Sequence, residues 1–294
     1  MKKIVVLIIS CMLIGCSANK EEKKQSLSIV TTSFIGYDIA TQIVGDKGEV
    51  LNILPWGSEL HDFEPTPKDM NAVNEADMFI YLSDELEPWI KNNSENENAF
   101  NLSKNYPLEE KQNSTNVHFW CDPVVYMRLI KNTQEYITSL DSKNKDYYET
   151  RANAYIDEIA SLHEKFETYM QTVEKPTIYF AGHNAMDAFA KRYHLTITSL
   201  SDEFRPDADV SAKQIETLSN NIEASKTHYL FCEELVEQRI AKQIASSFKN
   251  KDYQLTILEL HSYHNISKKQ SEENVTYANL YKQNINNIKQ ALSN

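Results

Sequence analysis

Histidine is the residue with most chemistry to offer in this chain of 294 residues, which has eight. Four of them stand just after β-rich runs or in turn-rich loops. His61 follows the run 50–54 by way of Pro55-Trp56-Gly57-Ser58, and His118 lies in the loop 116–123. His183 directly follows the run 177–180, and His264 follows the run 254–260. Neutral imidazole is a ligand for zinc, copper, nickel and iron, and protons compete for it near neutral pH. Four imidazoles with no nearby thiolate would close a tetrahedral zinc site. Spacing alone leaves the plainer reading open, because ligands drawn from distant segments carry no local signature. His163, in mid-helix, reads as a surface residue, and His194 and His228 read as structural. His261, three residues before His264, competes with it for the fourth position.

Side chains this far apart converge only if the fold brings loop ends together. Short β-rich runs recur at 28–34, 50–54, 78–82, 177–180, 195–200, 228–232 and 254–260, with helical patterns such as 213–222 and 236–248 between them. Strands alternating with helices predict parallel α/β sheets, whose ligands bind at the carboxyl ends of the strands. The stretch 144–173 lacks Gly and Pro, and Tyr148, Ala152, Ile156, Ile159, Leu162, Phe166, Tyr169 and Val173 step by three or four. That is the helical period, and Pro176 is expected to end the helix. The predicted fold is α/β, two lobes with parallel sheets joined by one long rigid helix, the metal site in the cleft between them. Lobe one is placed at 28–143, the linking helix at 144–175 and lobe two at 176–294. The stretch 92–112, rich in Asn, Glu and Ser, reads as a loose surface insertion.

The first residues read as an address. Met1-Lys2-Lys3 is basic, residues 4–14 are almost wholly apolar, and Gly15-Cys16 precedes a polar run. A basic start, a short apolar run and a small-residue cleavage site make a secretory signal over 1–15, too short to span a bilayer. The L-I-G-C ending resembles a bacterial lipobox, which implies cleavage before Cys16, lipid on that residue and a polar tether over 16–27. Loss of Lys2 and Lys3 removes two positive charges and takes the net charge from -12 to -14. Cys121 and Cys232 remain in the body of the chain. Their compartment permits a disulfide, but one pair 111 positions apart does not establish it, and two small half-buried residues are the preferred reading.

Composition excludes other classes of function. An excess of 42 acidic over 30 basic residues argues against nucleic-acid binding, which needs a basic face. Six scattered glycines, at 15, 36, 45, 48, 57 and 182, match neither G-x-G-x-x-G nor G-x-x-x-x-G-K-[ST], so neither nucleotide loop is present. Nothing resembles H-E-x-x-H, and four nitrogen ligands would leave a zinc hydrolase no open position for water, so no enzyme activity is expected.

The histidine segments carry a family likeness. H-D-F-E-P-T-P-K-D from His61 resembles the H-x-[FY]-x-P-[ST]-P-x-D signature of zinc- and manganese-binding lipoproteins, the solute-binding subunits of bacterial ABC metal importers. V-H-F-W-C-D-P around His118 resembles their H-x-W-x-D-P motif. H-N-A-M-D-A-F-A-K-R-Y from His183 is similar to their H-x-A-[FY]-x-Y-[FL]-A-x-[RK]-[FY] helix, and R-P-D-A-D-V-S from Arg205 to their P-D-A-E-P-S segment. The likeness runs from about Ser28 to Leu292. It implies one divalent transition-metal ion between two lobes, with His61, His118 and His183 at three ligand positions.

At the fourth position zinc-type members often read L-N-P-L-E-G-L-T, and this chain reads L-H-S-Y-H-N-I-S from Leu260, which sets His264 on the glutamate and keeps His261 as fallback. Imidazole in place of an oxygen ligand favours Zn2+ over manganese. The histidine-rich loop of some zinc-type members is absent, since 92–112 in that region contains no histidine. Asp62, Asp122, Glu203 and Glu233 are candidates to accept the second N–H of the ligand histidines. The resemblance further implies an ABC permease and its ATPase as partners, attachment to the outer face of the cell membrane through lipid on Cys16, and a monomer. The alternatives are a surface adhesin or host-protein binder with a structural metal, a carrier of manganese or iron, and a siderophore binder.

Overall fold

The computed structural model describes residues 26–93, 97–105, 117–183, 185–200, 210–235, 238–249 and 253–293. The signal, Cys16 and most of the tether lie outside the described residues, as do Asn184 and the stretch 201–209 with Glu203. Among the described residues no helix is long and apolar enough to cross a membrane.

Two four-stranded sheets form the frame, each parallel throughout. The first has the order β2-β1-β3-β4, with β1 Leu27–Thr31, β2 Gly48–Asn52, β3 Met78–Tyr81 and β4 Ala99–Asn101. The second has the order β6-β5-β7-β8, with β5 Thr177–Ala181, β6 Thr196–Ser199, β7 Tyr229–Cys232 and β8 Thr256–Glu259. Parallel strands need crossovers, and helices supply them. In lobe one these are α1 Phe34–Val44 and α2 Pro67–Glu75, and α3 Pro123–Leu140 follows the last strand. The long helix α4, Lys145–Met170, follows. Lobe two adds α5 Asp187–Arg192, α6 Ala212–Ser225, α7 Arg239–Lys249, α8 Lys268–Glu272 and α9 Tyr277–Leu292.

Three expectations need correction. The first β-run ends at Thr31, because Ser33 caps α1 by accepting a hydrogen bond from Gly36 N–H, which puts Phe34 in the helix. The supposed loose insertion contains β4, whose Phe100 pairs with Ile80 and is buried. Three residues are too few to show an alternating pattern. The long helix ends at Met170 rather than against Pro176. Proline disfavours the α conformation in the residue before it, and Lys175 there takes a left-handed φ of 48°. Both helix starts at Ser211 and Thr66 are capping boxes, with Gln214 and Asp69 at the third position. Asp122 caps α3 with Pro123 at its first position, a start signal legible in the sequence.

The 26 residues of α4 span roughly 39 Å at 1.5 Å per residue. Tyr148, Ala152, Tyr155, Ile159, Phe166 and Met170 make its buried stripe, with Ile156, Leu162 and Tyr169 packed at the margin. Against that stripe lie α1 and α3 of lobe one and α9 of lobe two. One apolar core therefore runs from Ile29 and Ile80 in the first sheet through Trp120, Tyr126 and Ile159 to Phe180, Tyr281 and Ile288. Two satellite cores stay within single lobes: Val30, Val73 and Phe79 in lobe one, and Leu218, Ile222, Ile244 and Phe248 in lobe two. A shared core resists wide opening, because apolar burial is worth about 25 cal/mol per Å2 and separation would expose it. Cys121 and Cys232 are buried and free, in line with the preferred reading.

Candidate metal centre

Four loops converge between the lobes. His61 lies on the segment joining β2 to α2, and His118 immediately precedes a short 3-10 turn, Phe119–Cys121, leading into α3. His183 follows β5, and His264 follows β8. One ring nitrogen from each lies within 4.8 Å of the other three. His118 Nε2 is 3.4 Å from His61 Nε2, close to the edge of about 3.3 Å that a tetrahedron with zinc–nitrogen bonds of about 2.0 Å requires. Nε2 of His183 and Nε2 of His264 are buried with no hydrogen-bond partner in the protein. Buried polar atoms rarely go unpaired, so such a pair facing two further imidazole nitrogens fits a metal-binding site.

The loops are stitched to one another across the lobes. Asn265 donates to the carbonyls of Pro55 and Ser58 at 2.8 and 2.9 Å, and Gly57 N–H donates to Ile266 O at 2.8 Å. Trp120 Nε1–H and Cys121 Sγ–H both donate to Ser262 O. Trp120, fully buried, stands edge-on to the rings of His118 and His264. A small cavity of about 140 Å3, lined among others by Gly57, Glu59, His183, Leu235 and His264, opens beside the cluster.

Each ring's second nitrogen decides which nitrogen can take a metal. His183 Nδ1 lies 2.8 Å from Glu233 Oε1, an atom that also accepts the His183 backbone N–H. Burial alone would lower the His183 pKa, but the hydrogen bond and charge of Glu233 outweigh it and raise the value. Gly182 makes this approach possible: a Cβ there would lie 2.3 Å from Glu233 Oε1. His61 Nδ1 lies 2.5 Å from Glu59 Oε1, whose side chain is 43% exposed. Burial pushes the Glu59 carboxyl up, but hydrogen bonds from His61 and Leu60 outweigh it and lower the pKa. His264 Nδ1 lies 2.5 Å from Ser262 Oγ, which hydrogen-bonds in turn to Glu234. Burial, reinforced by the neighbouring imidazoles, pushes His118 and His264 well below the usual histidine range and keeps both rings neutral.

All four predicted histidines thus meet, while His261 does not join them. Its Nδ1 accepts from Tyr263 N–H at 2.9 Å, and Asn284 clamps its backbone on both sides. His163, expected at the surface, is half-buried and hydrogen-bonded to Tyr193 OH at 2.7 Å. His228 stacks on Tyr253, and His194 is exposed at a left-handed φ of 51°. Of the proposed supporting carboxylates among the described residues, only Glu233 touches a site histidine. Asp62 is exposed, and Asp122 caps α3 while holding Arg192 of lobe two through both oxygens at 2.7 to 3.0 Å. Glu59, Glu234 and Ser262 were missed. Glu59 stands two residues before His61 and Ser262 two before His264, a local spacing that could have flagged both, whereas Glu234 is joined to its histidine only by the fold.

Residues 29–291 match the family ZnuA, described as "Zinc-uptake complex component A periplasmic". The high-affinity zinc uptake system protein ZnuA of Bacillus subtilis is 28% identical over 307 residues, which cover 98% of this chain and 94% of that protein. The crystal structure of the metal-dependent lipoprotein YcdH from Bacillus subtilis superposes with a TM-score of 0.78 at 28% identity, over 91% of this chain and 100% of that one. The zinc-binding protein AdcA of Streptococcus pyogenes is 23% identical over 323 residues, and this chain spans 61% of its length.

Proposed function

This chain belongs to the zinc-uptake component A family, and from that premise we propose that it captures zinc outside the cytoplasm on His61, His118, His183 and His264 and delivers it to an ABC permease. The observation that carries the ligand set is the buried, unpartnered Nε2 of His183 and of His264, aimed at the Nε2 pair of His61 and His118. Four neutral nitrogens and no oxygen favour zinc over manganese, and they complete its coordination, leaving no position for an activated water. The site therefore holds an ion and does no chemistry on a substrate. The importer's ATPase supplies the energy, and this subunit carries no nucleotide loop.

Capture needs little rearrangement. His183 and His61 donate Nδ1–H to carboxylates, which leaves their Nε2 lone pairs facing inward. Release on docking requires only that one lobe shift slightly, since ligands drawn from both lobes lose their common centre with any relative movement. The shared core along α4 limits that movement to a small one. We assign 28–143 to one lobe, 144–175 to the linking segment and 176–294 to the other. Lipid on Cys16 holds the protein, as a monomer, on the outer face of the membrane.

Isothermal titration with zinc tests the site directly. One ion per chain is expected for the wild type, with strongly reduced affinity in His61→Ala, His118→Ala, His183→Ala and His264→Ala. Unchanged stoichiometry and affinity across all four variants would sink it.

A further inference from the structure

His264, unlike His61 and His183, has no carboxylate on its second nitrogen. Its Nδ1 meets Ser262 Oγ at 2.5 Å instead. Ser262 is held by Glu234 twice, with backbone N–H to Oε2 at 2.9 Å and Oγ to Oε1. All three residues are buried, with exposures of 7%, 2% and 8% for His264, Ser262 and Glu234. A serine hydroxyl has one proton to give and two lone pairs to accept with. Burial pushes the Glu234 carboxyl up to about 7, and above that pH the ionised carboxylate can only accept, so Ser262 spends its proton on Glu234. Its oxygen can then only accept from His264, which requires hydrogen on Nδ1 and a bare lone pair on Nε2. Nε2 is the atom without a partner in the protein, facing the other imidazoles. The other histidine near Glu234 cannot take this role. His261 Nδ1 is 3.5 Å from Glu234 Oε1, but it already accepts from Tyr263 N–H and has no proton there to donate.

We propose that Glu234, acting through the hydroxyl of Ser262, is the positioning group that fixes the metal-binding tautomer of His264. The proposal rests on the four-histidine reading and deepens it. Neutral imidazoles do not offset the charge of a dication, and buried charge must be compensated nearby. Glu233 meets this need beside His183 directly, and Glu234 meets it beside His264 one hydroxyl away.

The tautomer of His264 in the metal-free protein, read from long-range proton–nitrogen correlations, tests the relay without reference to zinc. At a pH well above the pKa of Glu234, hydrogen on Nδ1 is expected in the wild type. Glu234→Gln keeps the shape but should reverse the relay. Its carbonyl must accept from Ser262 N–H, its amide then donates to Ser262 Oγ, and the hydroxyl proton turns to His264 Nδ1. Hydrogen should therefore move to Nε2, with zinc affinity lower by about tenfold to a hundredfold, the range for lost outer partners of metal-bound histidine. Ser262→Ala should weaken zinc to a similar extent, and Ser262→Thr, which restores the hydroxyl, should recover wild-type affinity. Hydrogen on Nε2 in the wild type, or wild-type zinc affinity in both Glu234→Gln and Ser262→Ala, overturns the relay. A wild type that binds no zinc defeats the four-histidine reading instead, and the tautomer still decides the relay.

Discussion

Each lobe contributes two imidazoles, but the lobes hold them differently. In lobe two His183 and His264 are 5% and 7% exposed, and the carboxylates behind them, Glu233 and Glu234, are 9% and 8% exposed. In lobe one His118 is fully buried, whereas His61 rests on Glu59, whose side chain is 43% exposed. A carboxylate out of water orients an imidazole more firmly than one that solvent also solvates, because the interaction scales inversely with the local dielectric. The buried histidines therefore act as a preset socket. Water reaches the Glu59 carboxylate behind His61, and a small cavity lined by Glu59, His183 and His264 opens there, so exchange of the ion is expected on that side.

The largest test of this asymmetry removes three of the histidines one at a time. His118→Ala and His264→Ala should each lower zinc affinity by more than about a hundredfold, beyond the range for outer partners. His61→Ala should cost less at equilibrium but show the fastest zinc release to a chelator in stopped flow. Equal dissociation rates in the three variants would erase the distinction. Next in size is Gly182→Ala, whose new Cβ would lie 2.3 Å from Glu233 Oε1 and 2.7 Å from Phe180 Cζ. Displacing Glu233 should cost about tenfold to a hundredfold in affinity by competition titration.

The four ligands should also differ in response to acid. Metal binding displaces any proton on its ligands, so affinity falls as pH drops through the pKa of the most basic one. That value is raised for His183 by Glu233, and it is depressed by burial for His118 and His264. Below the His183 pKa, zinc affinity should fall about tenfold per pH unit, and Glu233→Gln should flatten that slope. Calorimetry in buffers of different ionisation heat would count the proton released. The smallest effect is expected for Glu59→Gln, less than about tenfold in affinity, because water already competes at that corner. A loss as large as that of Gly182→Ala would make the two sides equivalent.

Much of this was open to reading along the chain. The helical period of 144–173 yielded α4, although the stripe runs through Tyr155 rather than Ile156, since packing against α1 and α9 selects the face. Alternating runs yielded seven of the strands, while β4 was hidden because an edge strand of three residues needs only Phe100 in the core. The histidines after strand ends were visible as types and positions, and their motifs pointed to a family.

What the sequence by itself determined was the inventory: four histidines after strand ends or in turn-rich loops, no nucleotide loop, and strands alternating with helices. These follow from residue type and local period, which do not depend on distant neighbours. Only the tertiary structure sets His264, and not His261, beside the other three histidines. The choice depends on Asn284 from α9 clamping one and on Ser262 with Glu234 from the end of β7 backing the other. It also moved Asp122 from the metal site to Arg192 and brought in Glu59 and Glu234. A hydrogen bond between residues tens of positions apart leaves no trace in local pattern, because it exists only when two loops from separate strands are held at one place.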